Sequence, residues 1–398
     1  MALIAGFKQI GFLIAVLLVA GHATAKEITV GGQVRPRFEF RDPVAGSHDT
    51  FISMRVRAQV KASLERDVTV LVQLQDVRLW GGETNTLGDY SADHLDLHQG
   101  YFELGRLGDG QIGVRVGRQE IAFGGQRLIG AVGWTQQGRA FDGVRMMLAP
   151  ESGKVDLIAI RLGDATGARV NQDAYLAGAY GQIMKMEKAA LDLYTFYNRV
   201  SGGSTNQWTL GARLVGKPGG MAYRVEGSYQ TGERGGQDVA AFMFGGRVGI
   251  SVSEGKGQIT LWYDYLSGDD APGDGETKVF DTLFATNHKF YGFADLFLSI
   301  PNHTGGLGLQ DLALKTKFAP QKGVSLGVNL HAFRTARKGS LTTSRLGEEV
   351  DVTLSYKYSS EVTFVGGFSY IVAKDGLAQI NRATQDVKWG YVMTNVAF

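Results

Sequence analysis

The chain has 398 residues, with 56 glycines, 7 prolines, no cysteine and a formal net charge of +2. The missing thiols exclude a disulfide scaffold, and the charge balance gives no support to a globally basic nucleic-acid-binding surface. No apolar run of about 18 residues follows the N-terminus, which excludes a helical membrane span there.

In chain order, residues 1–25 read as an export signal. Lys8 supplies the charged region, "IGFLIAVLLVA" the apolar core, and Ala23–Thr24–Ala25 the small-residue cleavage site. Cleavage is expected after Ala25, leaving residues 26–398 as the working protein. The first segments after it alternate strictly. "VGGQVRPRFEFR" sets Val34, Pro36, Phe38 and Phe40 against Arg35, Arg37, Glu39 and Arg41. "FISMRVRAQVKASLE" sets Ile52, Met54, Val56, Val60 and Leu64 against Arg55, Arg57 and Lys61. Strand side chains alternate faces, so each segment has one apolar face and one polar, mostly basic face.

The pattern continues to the C-terminus, through "GVRVGR", "QWTLGARL", "AYRVEGSYQ", "GVSLGVNLHAF" and "EEVDVTLSYKYS". Candidate strands centre near residues 35, 58, 71, 101, 115, 145, 158, 178, 194, 211, 226, 246, 262, 314, 328, 354, 367 and 392. About 21 residues per strand with its connection suits membrane-crossing strands of about 10 residues joined by alternately short and long loops. Aromatics recur near segment ends ("YDYL", "YKYS", "WGYV"), as interfacial girdles require. The fold class is therefore all-β: a transmembrane antiparallel β-barrel of eighteen strands, sixteen being the next even count. The last segment, "DVKWGYVMTNVAF", ends on Phe398 with Val396, Thr394 and Val392 alternating before it. A terminal aromatic strand of this kind is what barrel-assembly machinery reads, and the expected location is the Gram-negative outer membrane.

Several stretches go beyond general barrel grammar: "GVRVGRQEIAFGGQRLIG" (113–130), "GWTQQGRAFDGVR" (133–145), "YDYLSGDD" (263–270), "FDTLFATNHKFYGFADLF" (280–297) and "LGEEVDVTLSYKYS" (346–359). In these the chain resembles the alginate export family, over nearly all of its length after the signal. The resemblance implies an eighteen-stranded outer-membrane secretion porin that passes an alginate-like polymer.

Parity puts Arg35, Arg37, Arg41, Arg55, Arg57 and Lys61 in the lumen, with Arg115 and Arg145 from later strands. Residues 26–150 hold as many acidic as basic side chains, so a positive lumen needs segregation by face. Fixed guanidinium groups attract the carboxylates of a uronate polymer, and weak repeated sites let it move. The same arginines could instead pair with Glu39, Glu65, Glu103 and Asp142 and stabilise the wall. Arg118, Arg127, Arg139 and Asp142 form the cluster most like the family. Arg118 shares the parity of Val114 and Val116, so it lies beyond the lipid zone or a bulge at Gly117 turns it inward. "AFGGQR" and "GWTQQGR" are glycine-rich enough to fold into the mouth. "FDTLFATNHKFYGFADLF" is too irregular for a strand and reads as a loop at the extracellular rim. There His288, Lys289, Tyr291 and Asp295 could touch a sugar, or Phe284, Phe290 and Phe293 could pack the loop on itself.

The histidines show no metal spacing, and no nucleophile elbow or phosphate loop occurs. No cofactor, metal or catalysis is expected. A barrel lipase or lyase would need a Ser/His or Tyr/His/Arg constellation that is not evident. The expected partners are an anionic polysaccharide or oligosaccharide, outer-membrane lipid, the assembly machinery and periplasmic polymer-export proteins, with no nucleic acid. The alternative function is a porin taking up small anionic solutes or oligouronates.

Overall fold

The computed structural model describes residues 25–42, 49–82, 95–107, 110–151, 153–164, 173–186, 188–202 and 205–398. The expected signal segment, apart from Ala25, lies outside them. Eighteen antiparallel strands close into a barrel. In chain order they are β1 (Glu27–Asp42), β2 (Asp49–Ser63), β3 (Val68–Leu79), β4 (Leu95–Leu107), β5 (Ile112–Gln119) and β6 (Phe141–Leu148). Then come β7 (Lys154–Gly163), β8 (Ala174–Met186), β9 (Ala189–Val200), β10 (Thr205–Gly216), β11 (Met221–Arg234), β12 (Gln237–Val252) and β13 (Gly257–Leu266). The wall is completed by β15 (Leu309–Phe318), β16 (Val324–Arg334), β17 (Arg345–Lys357), β18 (Val362–Ala373) and β19 (Val387–Ala397). The remaining two-residue strand, β14 (Glu276–Thr277), pairs parallel with Asp238 and Val239 of β12 and is not part of the wall.

Each wall strand pairs with its neighbours in sequence, and β19 pairs back onto β1 with Val34 opposite Val396. The seam is finished by Phe398, whose backbone exchanges hydrogen bonds of 2.8 and 3.1 Å with Gly32. Closure leaves no unpaired sheet edge in the membrane, the condition any β-structure must meet there. All eighteen expected strands are present at their expected places.

The two faces follow the alternation. Val30, Phe38, Leu210, Val248, Leu261, Leu354 and Val392 are exposed on the outside, while Arg35, Arg55, Glu226, Asp264 and Asp351, on the opposite parity, are buried inside. An outer charge at mid-bilayer would cost about 2–4 kcal/mol, which fixes the register. Aromatic girdles mark both edges: Tyr356, Tyr358 and Phe364 cluster at one end, and Tyr197 packs on Trp208 at 4.7 Å at the other.

The two ends differ. The start of β1, the end of β19 and the connections 64–67, 253–256, 319–323 and 358–361 lie on one side, the periplasmic side of an outer-membrane barrel. The long connections 120–140 and 267–308 lie on the other. A tight hairpin there, Gly235–Gly236, has φ of +65° and +76°, the left-handed pair that a two-residue primed turn demands.

Candidate functional site

The two long connections leave the rim and enter the lumen. Loop 120–140 is held by its own backbone. The guanidinium of Arg35 donates to the carbonyls of Gly133 (2.7 Å), Trp134 (3.1 Å) and Thr135 (2.7 Å), and to the Gln136 side chain (3.0 Å). Arg37 donates to the Trp134 carbonyl at 2.9 Å, and Arg55 to those of Thr135 and Gln136. Gln75 and Arg57 reach the carbonyl of Gln137. Five consecutive carbonyls, 133–137, are thus gripped by side chains of β1, β2 and β3. Each buried charge-assisted bond is worth about 1.5–3 kcal/mol, so the loop is clamped.

Loop 267–308 docks on loop 120–140. Phe284 exchanges backbone hydrogen bonds with Leu128 (2.8 Å) and Gly130 (2.9 Å), and Arg139 donates to the carbonyls of Phe284 and Ala285. Gly130 has no room for a side chain, because a Cβ there would strike Thr286 Oγ1. The wall completes the fixing. Glu349 accepts the Ala294 amide at 2.9 Å, Gln230 pairs with the Asp281 backbone, and Lys315 donates to the Phe290 carbonyl at 3.2 Å. Between loops and wall lies an apolar core that includes Ile121, Phe123, Ile160, Leu176, Phe196, Phe280, Phe297 and Phe333.

Several expected lumen residues take other places. Arg118 pairs with Asp142 at 2.7 Å, and both stand on the parity of exposed Val144 and Met146. They therefore lie on the outer face at the long-loop end, and Asp142 orients no lumen arginine. The ladder runs through Gly117 without a register shift, so no bulge turns Arg118 inward. Arg127 does lie inside, 3% exposed, bonded to Asp264 (2.6 Å) and Tyr291 (3.1 Å) and stacked on Phe290 (4.4 Å). Arg115 pairs with Glu103, and Arg145 with Asp156 at 2.7 Å. Arg37 pairs with Glu39 at 2.8 Å, and Arg57 with Glu120 at 3.2 Å. Arg41 stays mostly open, 3.7 Å from Glu39, and Lys61 is exposed.

The segment 280–297, expected as a loop at the rim, is inside instead. Its Tyr291 is 2% exposed, and His288 bonds Asp295 at 2.6 Å. The reason is hydrophobic: Phe290, Phe297 and Ile300 gain a core only by packing on the apolar inner patch of the wall. Of the four sugar-contact candidates only Lys289 remains exposed.

Trp134 occupies the middle. It stacks on His288 (4.3 Å), meets Tyr391 edge-on (4.9 Å) and lies under the Arg37 guanidinium (4.3 Å). It borders two spaces. The one toward the long loops, of about 690 Å³, carries Arg37, Arg41 and Arg78 against Glu39, Asp49 and Asp295. The one toward the short turns, of about 550 Å³, carries Lys289, Lys315 and Lys317 with Thr260, Ser325, Asn329, Thr353 and Ser355 and, among the described residues, no carboxylate on its lining.

The sequence profile described as "Alginate export" matches residues 26–363. The chain belongs to the alginate export family. Solved structures with a similar fold include Pseudomonas aeruginosa OpdO (13% identity, TM-score 0.66, covering 95% of this chain and 99% of that one) and OccK5 (OpdH) from the same organism (10%, 0.64, 94% and 99%). Acinetobacter baumannii OccAB4 is another (11%, 0.65, 94% and 98%). A comparison with curated proteins found no match. This member of the family is an outer-membrane channel, with the porin-like barrel of those neighbours.

Sequence reasoning missed Trp134 and the lysines of β15. A tryptophan in a glycine-rich loop carries no sign of where the loop goes. Lys315 and Lys317 were legible: in "LALKTKF" they alternate with Leu314 and Phe318, as Arg55 and Arg57 alternate with Val56.

Proposed function

We propose that this channel passes an anionic polysaccharide of the alginate type outward. The observation that carries the reading is the space on the short-turn side, bordered by Lys289, Lys315 and Lys317 with hydroxyl and amide groups and, among the described residues, by no carboxylate, the acids nearest Lys315 (Asp311 and Asp351) being buried behind it. Lysine is a mobile point charge that attracts a carboxylate without the fixed fork of arginine, so a chain can slide. Hydroxyl and amide groups match sugar hydroxyls. Family membership supports the polymer and the direction. The arginines of β1 and β2 belong to this reading in a changed role. Gripping loop carbonyls, they shape the conduit and lend it their field, as Lys315 does through the Phe290 carbonyl, while Lys289 and Lys317 are open to the substrate.

A second reading, uptake of small anionic solutes or oligouronates, is favoured by one feature. Trp134 stands between the two spaces and suits short molecules better than a continuous chain.

The test is reversal potential across a KCl gradient, with block by oligouronate, for wild type and for Lys289 and Lys315 changed together to Gln. Anion preference and block in wild type, both reduced severalfold in the variant, are expected. Cation selectivity in wild type would overturn the reading.

A further inference from the structure

The periplasmic mouth is charged on one side. Lys256 closes the turn between β12 and β13, Lys317 lies at the end of the inward row of β15, Lys322 sits in turn 319–323, and Lys357 ends β17. All four are exposed, and together they border one groove of about 720 Å³ that, among the described residues, no carboxylate borders. Their backbone frame is fixed. The Ala319 amide donates to the Lys256 carbonyl, and the Lys357 amide to that of Gly323, both at 2.7 Å.

The groove continues inward. Lys317, Ser325 and Ser355 border it and also the inner space that holds Lys289 and Lys315. Lysines therefore run in file from the mouth toward the middle of the barrel. The neighbouring turns hold Glu254 and Glu361, and the latter already accepts hydroxyl hydrogen bonds from Ser359 and Ser360. The space toward the long loops differs, with as many carboxylates as cations.

We infer that the groove at Lys256, Lys317, Lys322 and Lys357 is a capture site for a polyanionic sugar chain, loading the channel from the periplasmic side. The inference rests on the polyuronate reading above and adds the place where the chain is first held. Charges within a Debye length, about 8 Å at physiological salt, act together on a passing carboxylate. Clustered like charges beside a low-dielectric wall raise association rates, and this effect falls with salt. The file of lysines favours a ligand that threads inward over a protein that docks at the mouth.

The experiment uses the full channel in planar bilayers, with an oligomannuronate of defined length added to one chamber at a time. Wild type is compared with K256Q/K322Q/K357Q, which leaves Lys317 of the inner space in place, and heat-modifiable migration checks that the variant barrel has formed. In wild type, blocking events from the short-turn side should begin roughly tenfold more often than from the other side at low salt. The variant should lose that excess while keeping block from the long-loop side. A neutral maltodextrin should show no sidedness in either protein. Equal blocking rates from both sides of wild type, or an excess that survives in the variant, would overturn the capture site alone. Absence of block from either side of wild type would overturn the polyuronate reading and the capture site with it.

Discussion

Arginine on an inward strand face can serve a passing anion or the protein itself, and here the protein takes most of it. Arg35, Arg37 and Arg55 are each 6% exposed or less and hold the carbonyls of residues 133–136. Trp134 is the side chain these clamps present. Of its three ring contacts, the two shorter ones with His288 and Tyr391, and its cation–π contact with Arg37, contribute about 1 kcal/mol each. Trp134→Ala should lose roughly 3 kcal/mol of local stability, about a hundredfold in an opening equilibrium. Hydrogen exchange at amides 134–138 should quicken by at least tenfold, and single-channel current should rise. Unchanged exchange would show that the arginine clamps alone hold the loop.

At the scale of elements, the strands were legible and the loops were not. Strand alternation is a local signal, set by lipid on one side and water or protein on the other. The strands near 58, 211 and 354 could be located from a few residues each. The destination of 267–308 depends on an apolar patch made by Phe196, Leu309 and Phe333, which come from three separate strands. No local window contains that patch. The closing strand makes its own prediction. Gly32 has its amide and carbonyl bonded by Phe398. Deleting Phe398 removes both bonds and the aromatic end of β19. Heat-modifiable barrel in the outer membrane should fall severalfold. Wild-type barrel levels would refute it.

Across the whole molecule, the two faces of one sheet see different solvents. Val56 has the outward parity of Phe38, and Arg57 the inward parity of buried Arg55. Spin labels at 56 and 57 should therefore separate, the first relaxed by oxygen in lipid and the second by a water-soluble agent. Equal access would contradict the register.

The sequence by itself determined the strand number, the parity of every strand named in advance, the terminal aromatic strand and the family. Each of these is written in short-range alternation or in contiguous motifs. It also determined that Arg35, Arg55 and Arg57 point inward. Only the tertiary structure decided what those arginines meet, because their partners lie about 80–100 positions away in the chain. It likewise placed Arg118 and Asp142 outside and brought Lys256, Lys317, Lys322 and Lys357 to one mouth. Charges from separate turns become neighbours only when the sheet closes, and closure is a property of all eighteen strands together.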